Sequence, residues 1–332
     1  LVLQLMCAEV VVQTPGKRRL TSYVEHYLGR GWKWVALVAM AFGIWGAMLA
    51  YMSIGGDFLI TLFSPNLEET SVVYAFLISI LTSVMIYGGL RVASRVEVVV
   101  VGALLFLFAF IVLSALPQIQ VSNYLAFNVK NAFLPYGVSL FALTGLGIVP
   151  EMKDVLGVGH KRLLAPAIVA AMTLIIVLYV LFSLSVVGVT GAQTTPTAFA
   201  GLIPILGNGF GTLTSLLGAL TILSIYMVLG VELLNTLKFD FHLPHGVSWA
   251  LVTFVPMGLF ALGLREFIGI IGFVGAVFNG LLAILVAMSY FVMRRSSVCV
   301  TQHCINFPAP LTWILIAVFA AGMIAEIITS VF

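Results

Sequence analysis

The residues with the clearest chemical potential lie at the centre of the segment 132–156. Thr144, Gly145 and Gly147 stand close together within an apolar stretch that is long enough to cross a membrane. Glycine and β-branched residues are poor helix formers, so the pattern predicts that this membrane helix is broken. Non-helical backbone inside a membrane is tolerated only where protein buries it or where it lines a cavity. The break therefore predicts a binding site.

The two ends of the predicted break carry opposite partial charges. The first half-helix is expected over about 133–143, and Pro150 and Glu151 are typical of the first turn of a second half-helix that begins near Val149. The carbonyl end of the first half suits an ammonium group or a cation, and the N–H end of the second half suits a carboxylate. A zwitterion such as an amino acid fits both ends. The alternative is a glycine-rich face for close helix packing without a ligand.

Four further residues inside predicted spans are candidates for the same site. Glu232 is a candidate for coupling or gating, because an acidic side chain inside a membrane is costly and is often functional. It also lies near the inner end of its span, where a charged group reaches water more easily. Trp45, Tyr51 and Ser224 are aromatic or polar groups that either pack or contact a ligand, and only the arrangement around the break favours contact.

No catalytic or metal site is predicted. The sequence lacks the G-x-S-x-G, H-E-x-x-H and Walker A patterns, and its 5 histidines all fall in predicted inner loops, so no imidazole base is available within the membrane. Cys299 and Cys304, with His303 between them, form an incomplete ligand set for a metal ion. We therefore expect neither enzyme activity nor a cofactor.

The composition places the chain in a membrane. Of its 332 residues 62% are hydrophobic and 8% are charged, with a mean hydropathy of +1.19, whereas soluble domains carry about 25% charged residues. This excludes a soluble enzyme and a disordered chain. A net charge of +3 without a basic patch argues against nucleic-acid binding. We expect a multi-pass protein of the cell membrane, with the lipid bilayer as its surroundings.

Residues 1–332 are expected to form one polytopic, all-α membrane domain. A short helix at 1–12 precedes an inner-surface loop or helix at 13–33, and residues 34–332 supply nine membrane spans. The spans lack the two-residue alternation of barrel strands. Their approximate ranges are 34–55, 71–90, 96–117, 132–150, 163–191, 213–237, 247–264, 267–292 and 309–332.

The loops support this arrangement. With the loop 13–33 on the inner side, the inner loops carry every Lys and Arg except Lys130 and Arg265, as the positive-inside rule requires. Within the span 267–292, Gly269, Gly272, Gly275 and Gly280 are interpreted as positions of close helix packing. The stretch 1–12 has no initiator Met and would be only about 18 Å long as a helix. It is interpreted as the end of a helix whose beginning is missing.

Several strings resemble an amino-acid permease of the amino acid/polyamine/organocation superfamily, close to its auxin/aromatic amino-acid branch. They cover nearly the whole chain in order: AEVVVQTPGKRRLTSYVEHYLG, FGIWGAMLAYMSIGGDFL, LFALTGLGIVPEM, SVVGVTGAQTTPTA, KFDFHLPHGVSWALVTFVPMGLFALGL and IGIIGFVGAVFNG. The resemblance implies two inverted five-helix repeats, with the first and sixth helices broken at the substrate. The nine spans would be the third to the eleventh helix, and the break at Thr144–Gly147 would lie in the sixth.

The resemblance also implies roles for single residues. Phe141 would stand where such transporters place an aromatic gate. Tyr51 and Trp45 would face the substrate from the third helix, and Ser224 would do so from the eighth. Since the first helix and most of the second are absent, this chain as it stands is not expected to transport.

The coupling ion stays open between a proton and sodium. Sodium-coupled relatives place adjacent hydroxyls on the eighth helix, whereas Ser224 is followed here by Ile225. Some proton-coupled relatives use a Lys in the fifth helix, and the span 96–117 contains none. The proton is the favoured ion.

These observations predict a secondary active transporter that moves amino acids by alternating access, with hydrophobic or aromatic substrates favoured. One alternative is a membrane-embedded sensor that binds an amino acid without moving it. The other is an organic-cation or polyamine permease. The polyamine alternative is disfavoured because no acidic residue is predicted at mid-membrane to pair with a second positive charge.

Overall fold

A computed structural model describes residues 1–16, 18–63, 71–88, 90–125, 133–195, 198, 201–296 and 305–331. Across these ranges the regular structure is helical, with no strand, so the predicted all-α fold is confirmed. Lys130 and the set formed by Cys299, His303 and Cys304 lie outside the described residues.

The described part of the chain contains fourteen α-helices. In chain order they are α1 (Val2–Gln13), α2 (Leu20–Leu28), α3 (Arg30–Phe63), α4 (Ser71–Gly88), α5 (Leu90–Ala115), α6 (Leu134–Leu143), α7 (Val149–Leu156), α8 (Leu164–Thr190), α9 (Ile203–Leu206), α10 (Asn208–Phe239), α11 (His245–Ala261), α12 (Phe267–Phe273), α13 (Gly280–Arg295) and α14 (Ala309–Val331). A π-helical segment, Val274–Asn279, joins α12 to α13 without a loop.

Six stretches of the described chain are long and apolar enough to cross a membrane: 30–63, 98–118, 159–193, 209–239, 267–295 and 309–329. Three further apolar helices, 2–13, 72–88 and 245–261, are shorter. The remaining predicted span, 132–150, contains α6 and the start of α7. The chain is a multi-pass membrane protein, and the count of nine spans stays a prediction.

The long helices divide into an inner and an outer group. In the most apolar part of α3, 67% of the residues are buried inside the protein, whereas in α8 only 11% are. Helix α3 therefore lies at the centre and α8 at the periphery, where its apolar side chains would face lipid. Close packing at the centre depends on small residues: a Cβ on Gly55 would lie 2.7 Å from Ile78 and 2.9 Å from Ile222.

Helix α6 and the π-helical segment touch through their backbones. A Cβ on Gly275 would overlap the carbonyl oxygen of Gly137, and a Cβ on Gly137 would overlap the backbone of Gly272. Only glycine permits this approach at Gly137 and Gly275, which supports the packing interpretation for Gly275, whereas a Cβ on Gly272 would meet only the Glu326 carboxylate, at 3.6 Å. The contact fixes the first half of the broken helix against α12 and α13.

Candidate functional site

The predicted break in the sixth helix is present. Helix α6 ends at Leu143, a single 3₁₀ turn covers Leu146–Ile148, and α7 begins at Val149. Gly145 has φ +46° and ψ +28°, the left-handed region that residues with a Cβ avoid. An ordinary residue there would cost about 1–2 kcal/mol, which explains the glycine.

The carbonyl groups at the end of α6 are only partly free. The Thr144 hydroxyl donates a hydrogen bond to the Leu140 carbonyl. The side-chain amide of Gln4, on α1, donates to the carbonyls of Leu143 and Thr144, the latter at 3.0 Å. This differs from the expectation that the carbonyl end faces only a ligand. Each oxygen keeps a second lone pair that a substrate ammonium can use.

A cavity of about 430 Å³ lies beside the break. It is enclosed mainly by α3, α6, α10 and the segment from α12 to α13, and by Tyr179 of α8. Helix α3 contributes a stripe at helical spacing, Met40, Gly43, Ala47 and Tyr51, so one face of this helix forms a wall. The size suits a single amino acid, because small-molecule sites begin at about 300 Å³.

Six of the eight predicted site residues line this cavity: Tyr51, Phe141, Thr144, Gly145, Gly147 and Glu232. They come from α3, from the break and from α10, three parts of the chain that are distant in sequence. The rings of Tyr51 and Phe141 lie 6.1 Å apart between centroids, within the range of aromatic pairing. The cavity thus joins an aromatic wall to the polar backbone of the break.

Trp45 and Ser224 are not among the lining residues. The Trp45 ring packs edge-on against Phe42 at 5.4 Å. Ser224 is buried within the protein, and the next residue, Ile225, reaches the cavity instead. A shift of one position turns a side chain by about 100° around a helix, which separates Ser224 from Ile225.

Sequence reasoning missed Asn279 and two aromatic residues of the cavity wall, Tyr179 and Phe267. Asn279 is the penultimate residue of the glycine-rich string IGIIGFVGAVFNG, whose glycines were interpreted as packing positions. A signal was available, since an amide in an otherwise apolar span is costly unless it has a partner or a function.

Glu232 lies directly against the break. A Cβ on Gly147 would overlap the Glu232 carboxylate, so the glycine makes room for the acid. The carboxylate thereby stands beside the start of the second half-helix, where partial positive charge accumulates. Nearby on α7, the buried Glu151 carboxylate accepts a hydrogen bond from Asn235 of α10 at 3.3 Å. Two acidic residues therefore lie at this junction of α7 and α10.

The start of α2 forms part of the cavity wall. Leu20, the first residue of α2, lines the cavity and is 2% exposed. The Asp240 carboxylate, at the end of α10, accepts hydrogen bonds from the backbone N–H groups of Arg19 at 3.2 Å and Ser22 at 2.9 Å. It also accepts one from the Thr21 hydroxyl. Asp240 thus satisfies the free N–H groups of α2 and fixes Leu20 over the cavity.

Two cations hold α7 to the same region. Arg19 forms an ion pair with Asp154 of α7 at 3.1 Å. The buried Lys153 ammonium donates to the carbonyls of Val11 at 2.8 Å and Thr14 at 3.2 Å, and to the Tyr23 hydroxyl at 3.0 Å. The second half-helix, the chain after α1 and helix α2 therefore form one connected unit.

Lys153 gives a prediction for stability. It follows the predicted span 132–150, and burial, reinforced by the positive charge of Lys161, lowers its pKa from 10.5 to about 8. Between these two pKa values, Lys153 carries its proton in the unfolded chain but has released it in the folded chain. The contribution of Lys153 to the free energy of unfolding therefore rises with pH. We expect the melting temperature of the unmodified protein to rise relative to that of Lys153→Met between pH 8 and pH 10.

The measurement is thermal unfolding of both proteins in detergent across that pH range. At every pH the variant should be the less stable protein, because buried carbonyls lose their donor at a cost of about 1–3 kcal/mol. A difference in melting temperature that narrows as the pH rises would contradict the assignment.

The chain matches known transport proteins along nearly its whole length. The profile of the tryptophan/tyrosine permease family matches residues 1–329. The chain is also similar to "Tyrosine-specific transport system 1" of Haemophilus influenzae, with 24% identity over 294 residues, which cover 83% of this chain and 73% of that protein. The finer assignment to the auxin/aromatic amino-acid branch stays a prediction.

Proposed function

Since the chain belongs to the tryptophan/tyrosine permease family, a family of transport proteins and not of enzymes, we propose that it is a secondary active transporter of aromatic amino acids. Its substrate binds in the cavity beside the break. The single observation that carries this proposal is the cavity itself, in which aromatic side chains from α3 and α6 face the interrupted backbone.

The amino-acid group of the substrate is assigned to the break. An ammonium group can use the second lone pairs of the Leu143 and Thr144 carbonyls, whose first partner is Gln4. The Glu232 side chain also lines this wall.

The side chain of the substrate is assigned to the aromatic part of the wall. Tyr51 and Phe141 form one pair of rings, and Tyr179 and Phe267 add two more to the lining. Aromatic pairs in offset or edge-to-face geometry contribute about 0.5–1.5 kcal/mol beyond burial of their area. This composition favours tryptophan, tyrosine and phenylalanine over small amino acids.

Transport by alternating access requires that the end of the cavity under Leu20 opens. The bonds that would have to break are those of Asp240 with the start of α2 and the ion pair between Arg19 and Asp154. They connect α10, α2 and α7, so an opening motion would separate α2 from the ends of α7 and α10. The inverted five-helix repeat remains the expected framework for this motion.

The proposed coupling ion is a proton, carried by Glu232. A carboxylate that lines the substrate cavity gains and loses a proton more readily than any neutral side chain there. Binding of a proton would neutralise Glu232 when the substrate enters, and its release on the other side would restore the charge. Sodium stays the alternative ion.

A second candidate function is transport of an organic cation or polyamine. The sequence predicts no acidic residue at mid-membrane, which disfavours this function, yet the acidic residue Glu232 lines the cavity. The aromatic lining and the tyrosine transport system that the chain resembles favour aromatic amino acids instead.

The test is labelled uptake by the full-length protein in proteoliposomes, with a panel of amino acids and polyamines and with sodium and pH gradients imposed separately. We expect aromatic amino acids to accumulate under an inward proton gradient alone. Counterflow measurements distinguish a transporter from a sensor, because a sensor binds its ligand without exchanging it. Binding without counterflow, or uptake of polyamines in place of aromatic amino acids, would overturn the proposal.

A further inference from the structure

Asn279 is a polar residue of the cavity wall that the proposed function has not yet used. It is the last residue of the π-helical segment and lines the cavity. A π-helical turn is rare and is often found at functional sites, because it redirects side chains that a regular helix would place elsewhere. The irregularity here points this residue into a site otherwise bounded mostly by apolar groups.

Asn279 lies at the depth of the break. Helix α6 and the π-helical segment run side by side, with Gly137 against Gly275. Further along both, a Cβ on Gly280 would lie 3.8 Å from the Leu140 side chain. Asn279 therefore stands level with the last turn of α6, close to Leu140.

The amide of Asn279 also faces the central helix. A Cβ on Gly43 of α3 would lie 3.4 Å from Asn279 Oδ1, so this glycine leaves open the space in front of the amide. Within the described part of the chain, the Asn279 side chain has no hydrogen-bond partner. An amide on a cavity wall without a protein partner keeps its donors and its acceptor for a ligand.

We infer that Asn279 is a specificity-determining residue that hydrogen-bonds the polar edge of an aromatic substrate, either the phenol hydroxyl of tyrosine or the indole N–H of tryptophan. The inference rests on the proposed function and adds to it a means of discrimination against phenylalanine. A neutral amide suits a neutral O–H or N–H group, because it both donates and accepts.

The other polar groups of the wall are less suited to this task. Glu232 lines the cavity but is already assigned to the coupling proton. The Thr144 hydroxyl already donates to the Leu140 carbonyl. The hydroxyls of Tyr51 and Tyr179 also belong to neutral lining residues, and Asn279 is the one side-chain amide among the residues that line the cavity.

The experiment measures equilibrium binding of tyrosine, tryptophan and phenylalanine to the full-length protein and to Asn279→Leu, which has a similar shape and no polar atoms. Loss of one hydrogen bond together with the unpaired polar group of the ligand should weaken tyrosine or tryptophan binding about tenfold. Phenylalanine affinity should change by less than about twofold, since phenylalanine makes no such bond.

Ser289→Ala is the matched control. Ser289 is also a buried polar residue of the same span, but its hydroxyl donates to the Leu285 carbonyl and it does not line the cavity. Its substitution should leave all three affinities unchanged. If Asn279→Leu also weakens phenylalanine binding, Asn279→Ala, which adds no bulk, is measured instead. The ratios of the tyrosine and tryptophan affinities to the phenylalanine affinity are then compared with those of the unmodified protein.

The outcomes separate the two proposals. A selective loss of tyrosine or tryptophan supports the role of Asn279. If the unmodified protein binds aromatic amino acids and the substitution leaves the ratios to phenylalanine unchanged, the inference about Asn279 is wrong while the proposed function stands. If the unmodified protein binds none of the three aromatic amino acids, both the proposed function and the inference about Asn279 are wrong.

Discussion

Replacing Gly145 by leucine in the full-length protein is expected to reduce uptake to background while leaving membrane insertion intact. Gly145 has a left-handed backbone conformation, so any side chain adds strain of about 1–2 kcal/mol. No atom lies within 4 Å of a Cβ at this position, and the residue lines the cavity. A leucine side chain would therefore occupy the space in which the substrate is proposed to bind.

The measurement is uptake of labelled tyrosine, alongside the amount of protein in the membrane. Gly258→Leu serves as a matched control, because Gly258 also lies in an apolar helix with no atom within 4 Å of a Cβ, yet it has no positive φ and does not line the cavity. Gly145→Ala should show an intermediate loss. Normal uptake by Gly145→Leu would mean that the break serves only helix packing.

The second large effect is expected from Glu232→Gln, which should abolish accumulation driven by a proton gradient and preserve counterflow exchange. Glutamine keeps the size of the side chain beside Gly147 but cannot bind and release a proton. One pH unit across the membrane is worth about 1.4 kcal/mol, or about tenfold accumulation for one proton per substrate. In the variant this ratio should fall to about one.

Accumulation and counterflow are measured in the same proteoliposomes. Glu326→Gln provides the control, because Glu326 is also an acid within an apolar helix, α14, and is not among the lining residues of the cavity. It should retain the accumulation driven by the proton gradient. Unchanged accumulation by Glu232→Gln would exclude Glu232 as the proton carrier and reopen the question of sodium.

The break was predictable because its causes are local. Two glycines with a proline shortly after them weaken a helix wherever they occur, and the observed ends at Leu143 and Val149 agree with the expected ones. The occupation of the carbonyls by Gln4 was not predictable. That contact joins residues 139 and 140 positions apart in sequence, and it depends on how α1 packs against α6.

The direction of side chains around a helix also limited how much of the site could be predicted from the sequence. Tyr51 and Trp45 lie on the same helix, yet only Tyr51 reaches the cavity, because the rotation of α3 is decided by its packing against several neighbours. The hydropathy pattern could not supply that rotation, since α3 is apolar on all sides. For the same reason the sequence did not predict that Asn279 lines the cavity, because the direction of its side chain depends on a π-helical turn.

The glycine contact between α6 and the π-helical segment has a consequence for the transport cycle. With carbonyl oxygens set against facing glycines at Gly137 and Gly275, no side chains lie between the two backbones to act as a sliding layer. Phe141 and Asn279, carried on these two segments, should therefore keep a constant separation while other helices shift. The substrate would then stay in contact with residues whose geometry does not change. Movement of the other helices would change only the side of the membrane to which the cavity opens.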